Sequence, residues 1–363
     1  MPIEDRQANL YHALKAHKHL FSADEVAKYF QDVDKERIGH LSARISAYLE
    51  TYLPRSFGSR ETLHDYRTNP YVLMTSASVM DLDNEGVFAD FLFNTKFYMG
   101  LETSFGKSIE AAFVEQYPTI GEAKWAVPIE KETEFKDLGD ISREERAVRR
   151  THSIWREIDT SVLIGDRRFI LSIKSGPNTI NDTQVAAMTD AIISHHKDWA
   201  LATHATYPGT QYLDIVIGIT YGTDRTTNNK ENQILVKLLD NGFVEEDRDG
   251  APGVLIDKNT RAIRVYRVIG KDFWAFLGNP SSPYKAQYIF LEVLLALTKA
   301  LKISKERMGL EERINLKVQN LAHALSTLRL SKGSLPSWVK DYFSEDELFW
   351  LTTAISSFYD EGV

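Results

Sequence analysis

Three residues near the middle of the chain have types and spacing suited to joint chemistry: Asp159, Ser172 and Lys174, with twelve residues between the first two. An acid and a lysine held side by side suit the metal-dependent hydrolysis of a phosphodiester. That reaction needs an activated water, stabilisation of the charge that builds on the phosphate oxygens, and a proton for the leaving oxygen. Mg2+ takes carboxylate and carbonyl oxygens, so Asp159 and the backbone carbonyl of Ile173 are candidate ligands. Lys174 cannot bind the cation, but it can orient or deprotonate the water or stabilise the phosphate charge. The competing readings are structural: an edge-strand acid, and a lysine whose stem lies along the sheet while its head stays in water.

Such residues need a rigid scaffold, and the local sequence supplies a hairpin. Ile154–Ile164 and Arg167–Lys174 read as strands joined by Gly165-Asp166, a two-residue connection with turn chemistry. Ser172 and Lys174, two apart, share a face of the second strand. Ser175-Gly176-Pro177 then turns the chain into a helix over Asn178–Trp199, with Val185, Met188, Ile192 and Ile193 spaced for burial. Upstream, Val87–Gly100 and Glu102–Tyr117 read as two helices. The second carries Glu110, either an exposed helical glutamate or a second metal ligand. Trp125–Ile129 is expected as a short strand. Leu213–Tyr221 has the continuous β-branched run of a buried central strand, and Ala262–Ile269 alternates as a strand should. Asn232–Leu239 is apolar but ambiguous, and Lys271–Leu277 reads as a short aromatic helix. The order implies an α/β core, a sheet of mixed strand direction with helices on its faces.

Outside that core the chain reads as helical. Ala23–Phe30, capped at Ser22, precedes Lys35–Leu53, which places Ile38, Leu41, Ile45, Tyr48 and Leu49 on one stripe. This pair is either a DNA-reading helix-turn-helix or a helical hairpin packed on the core. The hairpin is expected, since few of its side chains suit base edges. Pro54–Pro70 reads as a linker and Tyr71–Asp81 as extended or irregular. After Ser282 three helices are expected, divided near Gly309 and at Gly333–Pro336. The expected division is a helical N-terminal region over 1–66, a core over 67–281 and a helical C-terminal region over 282–363 that could carry a dimer interface.

With 43% apolar and 26% charged residues, a chain of 363 is ordinary for a soluble globular protein and excludes a disordered one. The absence of cysteine excludes disulfides and thiolate metal sites, and suits a cytoplasmic protein. The N-terminus lacks the apolar core and basic lead of a signal peptide, and the apolar region Tyr288–Leu301 is too short and too charged to span a bilayer, so no membrane partner is expected. The net charge of −8 argues mildly against nucleic acid, yet acids for a metal can coexist with a local basic surface. Arg143, Arg146, Arg149, Arg150 and Arg156 form such a patch, or a solvated charged face.

Several short stretches stand in a telling order: Asn69-Pro70-Tyr71, ETSFGKSIE at Glu102–Glu110, EID at Glu157–Asp159, LSIKSG at Leu171–Gly176 with Thr179-Ile180 after it, IVIGITYG at Ile215–Gly222, and GKDFWAFL at Gly270–Leu277. Together they resemble the Type II restriction endonucleases of the PD-(D/E)xK superfamily, and among these the EcoO(109)I family, which cuts interrupted palindromes with GG and CC half-sites. The resemblance implies a restriction-endonuclease-like mixed central sheet with helical N- and C-terminal additions. It implies Mg2+ as cofactor and double-stranded DNA as substrate. It implies a homodimer to match the two-fold symmetry of a palindrome, and a cognate DNA methyltransferase in the cell. Asp159 matches the family's metal-binding aspartate and Lys174 its catalytic lysine, while Glu110 falls where the family has an acid in the helix ahead of the sheet. Ser172 stands where the superfamily usually carries a carboxylate, and a serine there is also the family's own pattern. Compensation could come from Glu110 or from Glu157, which strand alternation would put on the face of Asp159, though a solvent-facing strand residue is the expected reading of Glu157.

Asn178, Thr179, Asn181, Thr183 and Gln184, just after Lys174, offer donors and acceptors for base edges or phosphates. Helix capping by Asn178 or Thr179 competes with that role. The loop Thr223–Glu231, with Arg225, Asn228, Asn229 and Lys230, is a second candidate. Two other functions stay open: a structure-selective repair or recombination nuclease, and a DNA-binding module that has lost cleavage, to which Ser172 points.

Overall fold

Hydrogen-bond register builds the chain around one open sheet of seven strands. They are β1 (Lys124–Ala126), β2 (Thr160–Ile164), β3 (Arg167–Lys174), β4 (Tyr212–Ile219), β5 (Val244–Glu246), β6 (Leu255–Asp257) and β7 (Ile263–Ile269), in spatial order β1-β2-β3-β4-β7-β6-β5. The computed structural model describes residues 23–58, 62–66, 68–112, 124–126, 153–176, 180–223, 226–248, 252–278, 283–331, 333 and 335–359.

β2 and β3 form the antiparallel hairpin, with Ile164 opposite Arg167 and Thr160 opposite Leu171. Gly165, at φ +58°, takes the left-handed sign that a primed two-residue turn requires of its first central residue. β3, β4 and β7 run parallel, Lys174 pairing with Ile219 and Ile219 with Ile269. β1, β6 and β5 add antiparallel pairs at the flanks. The first strand is shorter than expected. Ile154–Glu157 is a turn, because Ile158 donates its N–H to the carbonyl of Trp155 and Trp199 donates its indole N–H to the carbonyl of Ile154 (3.1 Å).

Alternation on β3 and β4 splits the core into two layers. On one face Ile170, Ile215, Ile217 and Ile219 meet Val185, Met188, Ile192 and Trp199 of α5 (Asp182–Thr206) and Ile234 and Leu238 of α6 (Lys230–Asn241). On the other, Val162, Phe169, Leu171, Ile173 and Val216 join a helical layer drawn from both ends of the chain. That layer draws on α2 (Lys35–Gly58), α3 (Pro70–Val79), α4 (Glu85–Ala112), α7 (Lys271–Gly278), α8 (Pro283–Met308), α9 (Leu310–Ser326) and α11 (Glu345–Tyr359); α1 (Ala23–Asp32) adjoins α8, and α10 (Ser337–Tyr342) has no buried residue.

The stripe Leu41, Ile45, Leu49 and Leu53 of α2 is buried, and α2 packs on α8. The stripe predicted for this helix is thus the face it packs on the core. Asp34 caps α2 through the amides of Glu36 and Arg37. Its own amide is held by the buried Glu292 of α8 at 2.9 Å, and Arg37 donates to the same carboxylate. The N- and C-terminal regions thus share a single core layer.

Several expectations need correction. α2 continues through Pro54 to Gly58, so no linker starts at Pro54. Tyr71–Asp81 is mostly helix: Asn69 caps α3 through the amide of Tyr71, and Pro70 occupies its first turn, where a missing N–H costs nothing. The two helices expected on either side of Leu101 are one continuous α4. Asn232–Leu239 belongs to α6, and the described residues of the C-terminal region form four α-helices. No helix among the described residues is long and apolar enough to cross a membrane. The basic patch lies outside the described residues apart from Arg156, which pairs with Glu157.

Candidate active site

The parallel register brings the ends of β3, β4 and β7 to one edge of the sheet, and antiparallel β2 begins there. Ligands of open α/β sheets gather outside the carboxyl ends of parallel strands. Asp159 precedes β2 at that edge, and Lys174 ends β3 on it.

Asp159 and Lys174 are brought together by backbone hydrogen bonds. The N–H of Asp159 donates to the carbonyl of Leu171 at 2.8 Å, and its carboxylate Oδ2 accepts the N–H of Ile173 at 2.7 Å. These two bonds bracket Ser172 and place the carboxylate beside the residue that precedes Lys174. The N–H and C=O of one strand residue point to the same side, so the Ile173 carbonyl is directed toward Asp159. Both Asp159 and Lys174 are half-buried. The turn ahead of Asp159 is held down by Trp155, which is fully buried and stacks on Trp199 of α5 at 6.0 Å. Arg168 reinforces this tie, donating to Ser161 and Thr203 with its guanidinium between the rings of Trp155 and Tyr207.

Ser172 does not join them at the surface. It is 0% exposed, and its hydroxyl finds no hydrogen-bond partner among the described residues. The position thus holds a buried hydroxyl where the superfamily usually has a carboxylate, behind the edge that carries Asp159 and Lys174. Glu157 lies in the turn rather than on a strand and faces Arg156 at 3.4 Å, so alternation does not carry it to the side of Asp159.

Glu110 belongs to α4, and the course of that helix is informative. A Cβ added at Gly106 would come within 2.5 Å of the Ser175 Cβ, so α4 runs against the residue after Lys174 with its backbone in close approach. Glu110 is one helical turn farther along α4; its side chain lies outside those described. Among the described residues no group of three His, Cys, Asp or Glu is placed to hold a metal ion. The donors at the edge are oxygens, the set a hard divalent cation takes: the Asp159 carboxylate and the Ile173 carbonyl.

Several of the stretches that carry the resemblance, though not Asn69-Pro70-Tyr71, meet one another near this edge. Gly106 meets Ser175, Gly176 leaves no room for a Cβ against the Tyr221 ring (2.6 Å), and Gly218 lies against Phe273. Gly270, at φ +56°, lies against the carbonyl of Gly222. One residue that sequence reasoning missed connects them. Thr220, buried, donates its N–H to the Lys174 carbonyl (3.0 Å) and its hydroxyl to the Ser175 carbonyl (2.8 Å). Its own carbonyl accepts the indole N–H of Trp274 at 2.6 Å.

Of the residues expected to meet DNA, Asn178, Thr179 and Arg225 lie outside the described residues. The others have structural work. Asn181 and Gln184 form a reciprocal capping box at the start of α5, with bonds of 2.9 and 3.0 Å. Asn228 donates to the carbonyl of Ile180 at 2.9 Å, and Lys230 pairs with Asp182, holding its carboxyl below the usual range. These contacts staple the β4–α6 loop to the entrance of α5 and make one polar lip beside Lys174. Asn181 is exposed on that lip, while Gln184 and Asn228 are half-buried.

A cavity of about 820 Å³ opens beside β7, lined by Thr223, Arg264, Tyr266 and Arg267 among others, but neither Asp159 nor Lys174 lines it. The open edge, rather than that cavity, suits a polymeric substrate. No protein-family model matches this chain, and no curated protein matches it.

Proposed function

We propose that the chain is a Mg2+-dependent deoxyribonuclease of the Type II restriction class, with a restriction-endonuclease-like core. On this reading it makes double-strand breaks at a short interrupted palindrome, as a homodimer, in a cell that carries a matching DNA methyltransferase. The observation that supports it best is the bond from the Ile173 amide to the Asp159 carboxylate, 2.7 Å. It keeps an acid beside Lys174 at the carboxyl edge of parallel strands. The meeting of several resembling stretches near that edge adds to it.

In this reading Asp159, the Ile173 carbonyl and Glu110 hold the cation. Mg2+ would supply a more acidic water and an electrostatic clamp on the phosphate. Lys174 holds its ammonium toward the scissile phosphate, where it orients the attacking water and offsets the growing negative charge. Water oxygen joins phosphorus, the bond from phosphorus to the leaving oxygen breaks, and that oxygen takes a proton. On this reading Asn181, Gln184 and Asn228, with Asn178, Thr179 and Arg225, would supply backbone or base-edge contacts to DNA.

Digestion of a sequenced plasmid with Mg2+, followed by mapping of the ends, tests the reading. Discrete fragments with a common end sequence are expected. Smears or junction-specific cuts would move the assignment to a structure-selective nuclease. The buried hydroxyl of Ser172, in place of a second acid, favours one further reading, a DNA-binding module without cleavage. In that case plasmid would stay intact with Mg2+ while DNA binding persisted.

A further inference from the structure

We propose that Thr220 is the positioning residue that sets the aim of Lys174; this rests on the nuclease reading above. Lys174 is the last residue of β3, and Ile219, its parallel partner, is the last of β4. A strand end frays unless the next residues are tied, and a fraying end cannot hold a side chain in a productive geometry. Thr220 supplies the tie on both sides of the Lys174–Ser175 peptide unit. Its N–H closes the final ladder bond to the Lys174 carbonyl. Its hydroxyl then reaches the Ser175 carbonyl, 2.8 Å away, after the chain has left the strand.

Thr220 is itself fixed from the opposite side. The indole of Trp274, on α7, donates to its carbonyl at 2.6 Å, and Gly270 donates its N–H to the neighbouring carbonyl of Ile219 at 2.8 Å. Trp274 is buried in the helical layer shared by both ends of the chain. A continuous set of hydrogen bonds therefore runs from that layer through Thr220 to the backbone that carries Lys174. Gly106 of α4 presses on Ser175 from the remaining side. Thr220 does not touch the reacting atoms in this account; it acts through Lys174.

Removing the hydroxyl while keeping the shape isolates the role. Thr220→Val keeps the ladder bond and loses the bond to Ser175. Single-turnover cleavage of a plasmid with Mg2+ is expected to slow by about 10²-fold, the scale of a misaimed catalytic group. Affinity for a duplex bearing the mapped site, measured in Ca2+, should stay within about twofold, because positioning loss falls on kcat rather than on binding. Thr220→Ser, which keeps the hydroxyl, should restore most of the rate. Trp274→Phe should repeat the pattern more weakly, and it carries the test if circular dichroism shows Thr220→Val to be unfolded.

Unchanged cleavage by the folded valine variant would overturn the inference. So would a serine variant as slow as the valine one, or a loss of rate matched by an equal loss of affinity. Absence of any cleavage by the unmodified chain overturns the nuclease reading itself, a result distinct from those three.

Discussion

The carboxylate of Asp159 accepts the backbone N–H of Ile173 at 2.7 Å, which anchors the acid to the residue beside Lys174. An acid so placed has two tasks, holding the hairpin end together and offering oxygen at the sheet edge. The two tasks separate under substitution. Asp159→Ala should abolish plasmid cleavage and also cost about 1–3 kcal/mol of stability, since the Ile173 amide loses a charged acceptor. Lys174→Ala should abolish cleavage with a smaller change in thermal unfolding. Cleavage retained by either variant would return both residues to a structural role.

Gly106 gives a second, independent handle on the same edge. In Gly106→Ala the new Cβ would meet Ser175 at 2.5 Å, so α4 or the turn after Lys174 must shift. The expected outcome is about 1–3 kcal/mol of destabilisation together with a cleavage loss larger than the change in melting temperature explains. Glu110→Ala should remove cleavage without that stability cost. Full activity in Glu110→Ala would take Glu110 out of the cation site.

Arg267, partly exposed, pairs with the buried Glu231 at the root of the β4–α6 loop. Glu231 is 0% exposed and accepts from Arg267 at 2.9 Å and from the Thr227 hydroxyl at 2.8 Å. Removing one partner leaves a charge in the interior without its counter-ion, which typically costs about 3–5 kcal/mol. Chemical denaturation of Arg267→Met should show a loss of that size. A loss under about 1 kcal/mol would mean that water or the loop solvates the carboxylate.

Asp214, at the far end of β4 from the candidate site, governs a pH effect. Burial holds its carboxyl above the ordinary aspartate value of 3.8, outweighing the Arg167 guanidinium and the Tyr266 hydroxyl, which pull it down. A group raised in the folded state adds stability below its unfolded pKa and loses it as pH rises through the folded value. The stability of the natural chain relative to Asp214→Asn should therefore fall as pH rises above 3.8. A relative gain over that range would show that the bond from Arg167 outweighs burial.

The parts of the fold that were legible in sequence are those decided locally. β3 was read with its true ends, because alternation and the Gly165-Asp166 turn are short-range signals. The stretch Ile154–Ile158 looked like strand because Ile154, Trp155 and Ile158 are apolar. They are buried by α5, through the stacking of Trp155 on Trp199, 44 residues apart in number and invisible to a local window. α3 was missed because PYVLMTSASV has almost no polar side to mark a helical period. β5 and β6, three residues each, are too short to show one. The site divides in the same way. Asp159 and Lys174 announce themselves by residue type. Thr220 and Gly106 matter only through contacts with Ser175, and the Thr220 bond spans 45 positions.

The bond from the Asp34 amide to Glu292 spans 258 positions. At about 5–20 residues per second of synthesis, α2 therefore waits roughly 10–50 s for α8, which joins α4 in packing on it. The sheet edge with Asp159 and Lys174 is braced through Trp274 by the same late-arriving layer. An unfinished chain thus lacks the brace, so the order of synthesis itself delays the moment at which the edge becomes rigid.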